Sequence, residues 1–101
     1  MTGLSKEVMK RIVTVFSQHP QIVEVVLYGS RAKGNYHPGS DIDLSLKGDQ
    51  LNLKILNQIS NNLDDLLLPY MFDLSIFQQI ENRDLLEHIE RVGQVIYPLN
   101  K

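Results

Sequence analysis

Residues 22–46 read IVEVVLYGSRAKGNYHPGSDIDLSL, and this stretch decides the fold. It opens on an apolar, β-branched run, residues 22–28, which is typical of a buried strand. Gly29 and Ser30 end that run, and residues 35–40 have the composition of a loop. From residue 41 to residue 46, polar and apolar side chains alternate, which indicates a strand with one polar and one apolar face. The stretch therefore predicts two strands joined by a Gly-Ser turn, a possible helical turn at residues 31–33 and a loop.

Helical and strand patterns continue on both sides of this stretch. Their bounds come from capping residues, from proline and from the period of the apolar positions. The predicted elements are a helix capped by Ser5 and ended by His19-Pro20, a helix from Leu53 to Leu66 closing near Pro69, a strand from Tyr70 to Phe77, a helix capped by Asn82 and ended by Gly93, and a short edge strand at Val95–Tyr97.

The size and composition are those of one small globular domain. The chain has 101 residues, 43% of them hydrophobic and 22% charged, with no repeat and no low-complexity tract. We therefore expect residues 1–101 to form a single α/β (α+β) domain. Its mixed sheet should have three or four strands, with the helices packed on one apolar face of the sheet.

Composition also excludes several classes of protein. The chain has no cysteine, so it has neither disulfides nor thiolate metal sites, which fits a cytoplasmic setting. No apolar segment approaches the roughly 20 residues that span a bilayer, so no membrane is expected as a partner. The net charge of −2 disfavours a protein that coats nucleic acid. Nucleic acid is not excluded, since setting aside Asp41, Asp43 and Asp73 leaves nine acidic against ten basic residues.

Three aspartates on predicted strands are candidate catalytic residues and metal ligands. Asp41 and Asp43 are two residues apart in a strand, so their carboxylates point to the same side, where they repel each other unless positive charge compensates. Hard cations such as Mg²⁺ prefer oxygen ligands and share them with the phosphates of a substrate. A site for two such ions, roughly 3.5–4 Å apart, needs further ligands, and Asp73 would supply the third carboxylate.

The Gly-Ser pair is a candidate phosphate-binding element. Gly29 has no Cβ to keep a phosphate away from the backbone, and Ser30 adds a hydroxyl and an amide donor. Arg31 and Lys33 would balance phosphate charge beside it. With the Asp-x-Asp strand ten residues downstream, these features predict a binding site for ATP or another nucleoside triphosphate with Mg²⁺.

A purely structural interpretation is the alternative for each of these motifs. Gly-Ser is a common turn pair, and Asp-x-Asp often marks an exposed strand edge. An aspartate inside a third apolar strand is costly without a role, which favours the functional interpretation. Tyr28 and His88 are predicted to be packed side chains without chemistry, and any exposed part of Leu66-Leu67-Leu68 would suit a partner surface.

Residues 27–34, LYGSRAKG, together with residues 40–44, SDIDL, resemble the signature of the nucleotidyltransferase superfamily that includes DNA polymerase beta. In length the chain is similar to the minimal nucleotidyltransferases, the MNT proteins. The resemblance implies a nucleotidyltransferase fold and the transfer of a nucleoside monophosphate from a Mg²⁺-bound triphosphate to an acceptor hydroxyl. Gly29 and Ser30 would match the phosphate-binding pair, Asp41 and Asp43 the first two metal ligands. Asp73 would match the third, which also helps to activate the attacking hydroxyl.

The resemblance also implies a partner. MNT proteins are often encoded with a helical HEPN-domain protein and act as its antitoxin, in some cases by adenylylating a tyrosine of that toxin. Two alternatives stay open at this point: an antitoxin that only covers its partner, or a transferase acting on a small molecule such as an aminoglycoside or on an RNA end. Nothing in the residues specifies the nucleotide, the acceptor or whether the chain forms a homo-oligomer.

Overall fold

The computed structural model describes residues 3–37, 39 and 41–98; Ser40 of the SDIDL motif lies outside the described residues. Helices and strands alternate along the chain. In order they are α1 (Lys6–Ser17), β1 (Glu24–Tyr28), α2 (Ser30–Lys33), β2 (Ile42–Lys47), α3 (Leu53–Asp64), β3 (Phe72–Ile76), a 3₁₀ turn (Phe77–Gln79), α4 (Arg83–Val92) and β4 (Gln94–Tyr97).

Side-chain caps fix the starts of the three long helices. The hydroxyl of Ser5 accepts a hydrogen bond from the amide of Val8 at 3.1 Å, as its sequence position predicts. Asn82 caps α4 in the same way, and Asn52, which the sequence analysis did not assign, caps α3. α3 ends earlier than predicted, at Asp64, and Leu67 adopts a left-handed conformation with φ of 56°.

The four strands form one mixed sheet in the order β3-β2-β1-β4. β1 runs antiparallel to β2 and to β4, whereas β2 and β3 are parallel and are connected through α3. The start of β2 and the start of β3 therefore lie side by side, next to the end of β1. This arrangement determines where the candidate site residues meet.

The main core lies between one face of the sheet and the helices α1 and α3. Val25 and Leu27 of β1 face the same side as Leu44 and Leu46 of β2, because these residues are register partners. Each of the four is fully buried. The helices contribute the buried apolar residues Ile12, Val15, Phe16, Ile59 and Leu63.

α4 lies on the opposite face, where the sequence analysis had placed no helix. Its Ile89 is buried in a second cluster with Val26 and Tyr28, the β1 residues that alternate with the core positions. β1 is thus apolar on both faces, in keeping with the four consecutive apolar residues at 25–28. The mixed α/β sheet is confirmed, but the helices cover both faces rather than one.

No helix within the described part of the chain has the length and apolar character needed to cross a membrane.

Candidate active site

Three strand ends meet at one edge of the sheet. Tyr28, the last residue of β1, is the register partner of Asp43 in β2, and Asp43 is the register partner of Asp73 in β3. Neighbouring strands lie about 4.8 Å apart, so the two aspartates stand side by side. Gly29 and Ser30 follow Tyr28 directly and end against the same place. The topology therefore brings together residues that lie up to 45 positions apart in the sequence.

The carboxylates face away from the main core. Ile42 and Leu44, which flank Asp43, are fully buried on the α1–α3 face, so Asp43 points to the opposite face. Asp41 precedes β2 and is exposed, Asp43 is half-buried and Asp73 is exposed. The structure thus places the three predicted aspartates together on one accessible edge.

Gly29 passes so close to Asp43 that no other residue fits. Its φ of 78° and ψ of −157° fall in a region that is essentially restricted to glycine. A Cβ built on Gly29 would collide with the carboxylate oxygen Oδ2 of Asp43. The backbone of the Gly-Ser turn and the central carboxylate therefore share one small volume; the approach of a phosphate to Gly29 stays a prediction.

The electrostatics of the site favour a cation. Burial and then the neighbouring charges of Asp73 and Asp41 raise the pKa of Asp43. Burial also raises the pKa of Tyr28; a hydrogen bond with the Ser75 side chain lowers that pKa in part, and the charges of Asp43 and Asp73 raise it further. Negative charge thus accumulates at the meeting point of the three strands, where a divalent cation would relieve the repulsion.

The donor set fits Mg²⁺ in its chemistry, since carboxylate oxygens are the ligands that this ion prefers. As they stand, no three histidine, cysteine, aspartate or glutamate side chains in the described ranges are spaced to hold a metal ion. Asp41 and Asp73 are exposed, so their side chains are free to rotate toward a shared ion without repacking the core. Asp41, Asp43 and Asp73 are therefore the residues that would hold Mg²⁺.

Ser30 and Lys33, the other predicted phosphate contacts, both belong to α2, the short helix that follows Gly29. Ser30 is the half-buried first residue of α2, and Lys33, in the last turn of α2, is exposed. The amide of Lys33 donates to the carbonyl of Gly29 at 3.1 Å, and Gln94 of β4 donates to the carbonyl of Ala32 at 3.2 Å. These bonds fix α2 against the edge of the sheet beside Gly29.

The sequence predicts Arg31 as a cation that balances phosphate charge beside Ser30, but in the structure its side chain is buried. Its side chain is only 1% exposed and lies between two aromatic rings, 5.2 Å from the centroid of Tyr36 and 4.9 Å from that of Tyr70. A planar guanidinium stacks well in this setting. Arg31 therefore ties α2 to the segment before β3, and a contact between Arg31 and a phosphate stays a prediction.

We predict that Arg31→Lys destabilises the chain by about 1–2 kcal/mol, because an ammonium cannot stack between Tyr36 and Tyr70 as a guanidinium does. Lys33→Met, on the exposed side of the same helix, should change stability by less than about 0.5 kcal/mol. Urea denaturation of both variants provides the measurement. Equal losses for the two positions would contradict the role of the aromatic sandwich.

His88 is the site neighbour that sequence reasoning missed. Its Nε2 accepts a hydrogen bond from the backbone amide of Gly29 at 3.1 Å. Its ring also packs edge-on against Tyr28, with centroids 6.1 Å apart. The prediction of a packed, half-buried ring is correct, but the bond to Gly29 joins residues 59 positions apart, and no local pattern carries that information.

Residues 10–101 match the model of the family described as "Polymerase beta, Nucleotidyltransferase". The chain belongs to this nucleotidyltransferase family. The matched range contains the Gly-Ser turn and all three aspartates. The family and the fold class expected from the LYGSRAKG and SDIDL motifs are thereby confirmed.

Solved structures with the same fold as this nucleotidyltransferase include chains of toxin–antitoxin complexes. One is a toxin–antitoxin with AMP-PNP, at 19% identity and a TM-score of 0.74, over 91% of this chain and 74% of that chain. Another is the tri-AMPylated Shewanella oneidensis HEPN toxin in complex with MNT antitoxin, at 15% identity and a TM-score of 0.70, over 95% of this chain and 74% of that chain. The MntA–HepT toxin–antitoxin aligns at 15% identity and a TM-score of 0.69, over 94% of this chain and 74% of that chain. At these identities the likeness establishes the fold. No curated protein sequence matches the chain significantly.

Proposed function

We propose that this nucleotidyltransferase uses Mg²⁺ to transfer AMP from ATP to an acceptor hydroxyl on a helical HEPN-type partner, and that it thereby acts as the partner's antitoxin. The observation that carries the proposal is the register pair Asp43–Asp73 with Gly29 packed against Asp43. It joins a cluster of carboxylates to the Gly-Ser turn, which we propose as the phosphate-binding element. A structural domain would have no reason to accumulate this charge at one edge.

Gly29, Ser30 and Lys33 would each bind a different part of the triphosphate or neutralise its charge. Gly29 lets the triphosphate approach the backbone, Ser30 offers its hydroxyl and amide to the distal phosphates, and Lys33 neutralises part of their charge. When bound, Mg²⁺ would polarise the α-phosphate and offset the charge of the departing pyrophosphate.

Asp73 is the carboxylate best placed to meet the acceptor. It is exposed on β3, an edge strand of the sheet, whereas Asp43 is half-buried on β2, between β1 and β3. The acceptor oxygen forms a bond to the α-phosphorus as the bond to the β-phosphate breaks, and pyrophosphate leaves. Asp73 is positioned to accept the proton of the hydroxyl, which gives it the role of general base.

The choice of AMP and of a protein acceptor is supported by proteins of the same fold. One was crystallised with AMP-PNP, and another is an MNT antitoxin in complex with a tri-AMPylated HEPN toxin. Leu67 and Met71, in the segment between α3 and β3, are 89% and 72% exposed. Met71 leads directly into β3, so this segment offers apolar surface near the aspartates to a protein that presents a hydroxyl.

The test is a labelling assay with α-labelled ATP and Mg²⁺. The acceptors are the protein encoded beside this chain, an aminoglycoside and a short RNA, each offered separately. We expect label on the protein, with release of pyrophosphate. Label on the aminoglycoside or the RNA instead would contradict the protein acceptor. A second result would contradict a catalytic antitoxin: the chain neutralises its partner without labelling it, and Asp41→Asn neutralises it equally well. That result would favour an antitoxin that only binds.

A further inference from the structure

We infer that His88 is a positioning residue of the nucleotide site, which fixes the Gly29 peptide through a hydrogen bond to its amide. The inference rests on the proposed function, since it assigns a role in binding the nucleotide. The backbone amide of Gly29, in the turn between β1 and α2, donates a hydrogen bond to Nε2 of His88 on α4, and the two nitrogens are 3.1 Å apart.

The bond explains how the turn keeps its conformation. Gly29 adopts a φ of 78°, and glycine has the greatest freedom to leave such a conformation, because it has no side chain. The carboxylate of Asp43 fills the space on one side of Gly29. His88, on α4, anchors the backbone amide of Gly29, so the peptide between Tyr28 and Gly29 is held in one orientation.

α4 holds the imidazole rigidly enough for this purpose. Ile89, the next residue, is 3% exposed and packs on Val26 and Tyr28. The ring of His88 meets the ring of Tyr28 edge-on, at an interplanar angle of 80°. Nε2 accepts only when the imidazole is neutral with its proton on Nδ1, so the bond also selects one tautomer.

The bond to His88 also determines which donors of the turn can bind the nucleotide. The Gly29 amide is already committed to His88, so Ser30 supplies the donors of the turn to the distal phosphates. Loss of the anchor should loosen the turn in the same way for bound substrate and transition state. Such a loss weakens the binding of nucleotide and leaves the rate of the chemical step nearly unchanged.

The first measurement needs no substitution. In uniformly ¹⁵N-labelled, unliganded protein, the bond should produce a scalar coupling between the Gly29 amide nitrogen and Nε2 of His88, together with slow exchange of that amide proton. Absence of the coupling would overturn the inference directly, whether or not any variant folds.

The second measurement compares variants by calorimetry with Mg²⁺ and α,β-methylene-ATP. His88→Phe keeps an aromatic ring against Tyr28 but has no acceptor, and we expect about three- to tenfold weaker binding, the usual value of one hydrogen bond. His88→Gln, whose side-chain carbonyl accepts, should restore affinity to within about twofold. His19→Phe is the matched control, because His19 bonds to Asn62 at 2.9 Å, between the end of α1 and α3.

Two results of this comparison would overturn the inference: equal affinities in His88→Phe and His19→Phe, or no recovery in His88→Gln. The outcomes also separate this inference from the proposed function. Nucleotide binding without the coupling contradicts the inference alone. The coupling with nucleotide binding, but without label on the HEPN-type partner, contradicts the proposed acceptor alone. An unaltered chain that binds no nucleotide contradicts both.

Discussion

Asp43→Asn is expected to reduce nucleotidyl transfer by on the order of 10²–10³-fold while the chain stays folded. Asp43 is the central carboxylate, with Asp73 beside it in β3, Asp41 two residues before it and Gly29 against its oxygen. An amide has nearly the same shape but carries no charge, so the change removes the negative charge that Mg²⁺ would bind. The rate of transfer from α-labelled ATP, measured at saturating Mg²⁺, tests this expectation.

The same substitution is expected to stabilise the chain at neutral pH. Burial and the charges of Asp73 and Asp41 raise the pKa of Asp43 above its ordinary 3.8, so the folded chain holds this proton more tightly than the unfolded chain does. The carboxylate therefore costs stability increasingly as pH rises from 3.8 through the raised value. Solvent screens a half-exposed group, which limits the gain in the variant to about 1 kcal/mol at pH 7.

Thermal unfolding of both proteins from about pH 3 to pH 7 measures this gain. The difference in Tm should be near zero at the acidic end, where Asp43 is protonated in both states, and should grow toward neutral pH. Asp49→Asn is the control, since Asp49 is an exposed aspartate just beyond the other end of β2. A transfer rate that falls equally in both variants, or a stability gain that is independent of pH, would contradict the assignment of Asp43.

The sequence predicted the parts of the site that depend on local pattern. Alternation in residues 41–46 places Asp43 on the face opposite Ile42 and Leu44, and the same argument applies to Asp73 in β3. The sequence also places Gly29 in the turn after β1, and its positive φ agrees with a turn that requires glycine, while its contact with a phosphate stays a prediction. The predictions for Asp43 and Asp73 succeeded because the period of two in a strand fixes the direction of each side chain.

The remaining features depend on contacts between distant segments. The apolar run of β1 is typical of a strand covered on both faces, but it does not reveal which helix covers the second face, so the position of α4 was missed. The burial of Arg31 requires Tyr36 and Tyr70 to meet from separate loops, and the bond of His88 to Gly29 requires α4 to cross behind β1. A basic residue beside a phosphate-binding turn looks the same in sequence whether it is stacked between rings or exposed.

Gly29→Ala is expected to lower stability by at least about 2 kcal/mol and transfer by about 10²-fold. Alanine rarely adopts the φ of 78° and ψ of −157° found here, which costs on the order of 1–3 kcal/mol. Its Cβ would also collide with Oδ2 of Asp43, so either the turn or the carboxylate must move. A displacement of about 1 Å at a reacting group is sufficient for a rate loss of this size.

Gly34→Ala provides the matched control for backbone strain. Gly34 ends α2 with a φ of 88° and ψ of 3°, and a Cβ there would meet no atom within 4 Å. We expect this variant to lose about 1–2 kcal/mol, the usual penalty for a left-handed residue, and to keep its transfer rate within a few-fold. A comparable loss of activity in both variants would assign the effect to general loosening of α2.

A double-mutant cycle isolates the collision itself. Asp43→Ala removes the carboxylate that the new Cβ would strike; the Cβ of Asp43, which it retains, lies at an ordinary 3.5 Å from that position. If the collision contributes to the stability loss, Gly29→Ala should cost less in the Asp43→Ala background than in the unaltered chain, by 0.5 kcal/mol or more. Backbone strain is the same in both backgrounds and cancels. Additive effects would mean that Gly29 is required for its conformation alone, and that the space beside it is not shared with Asp43.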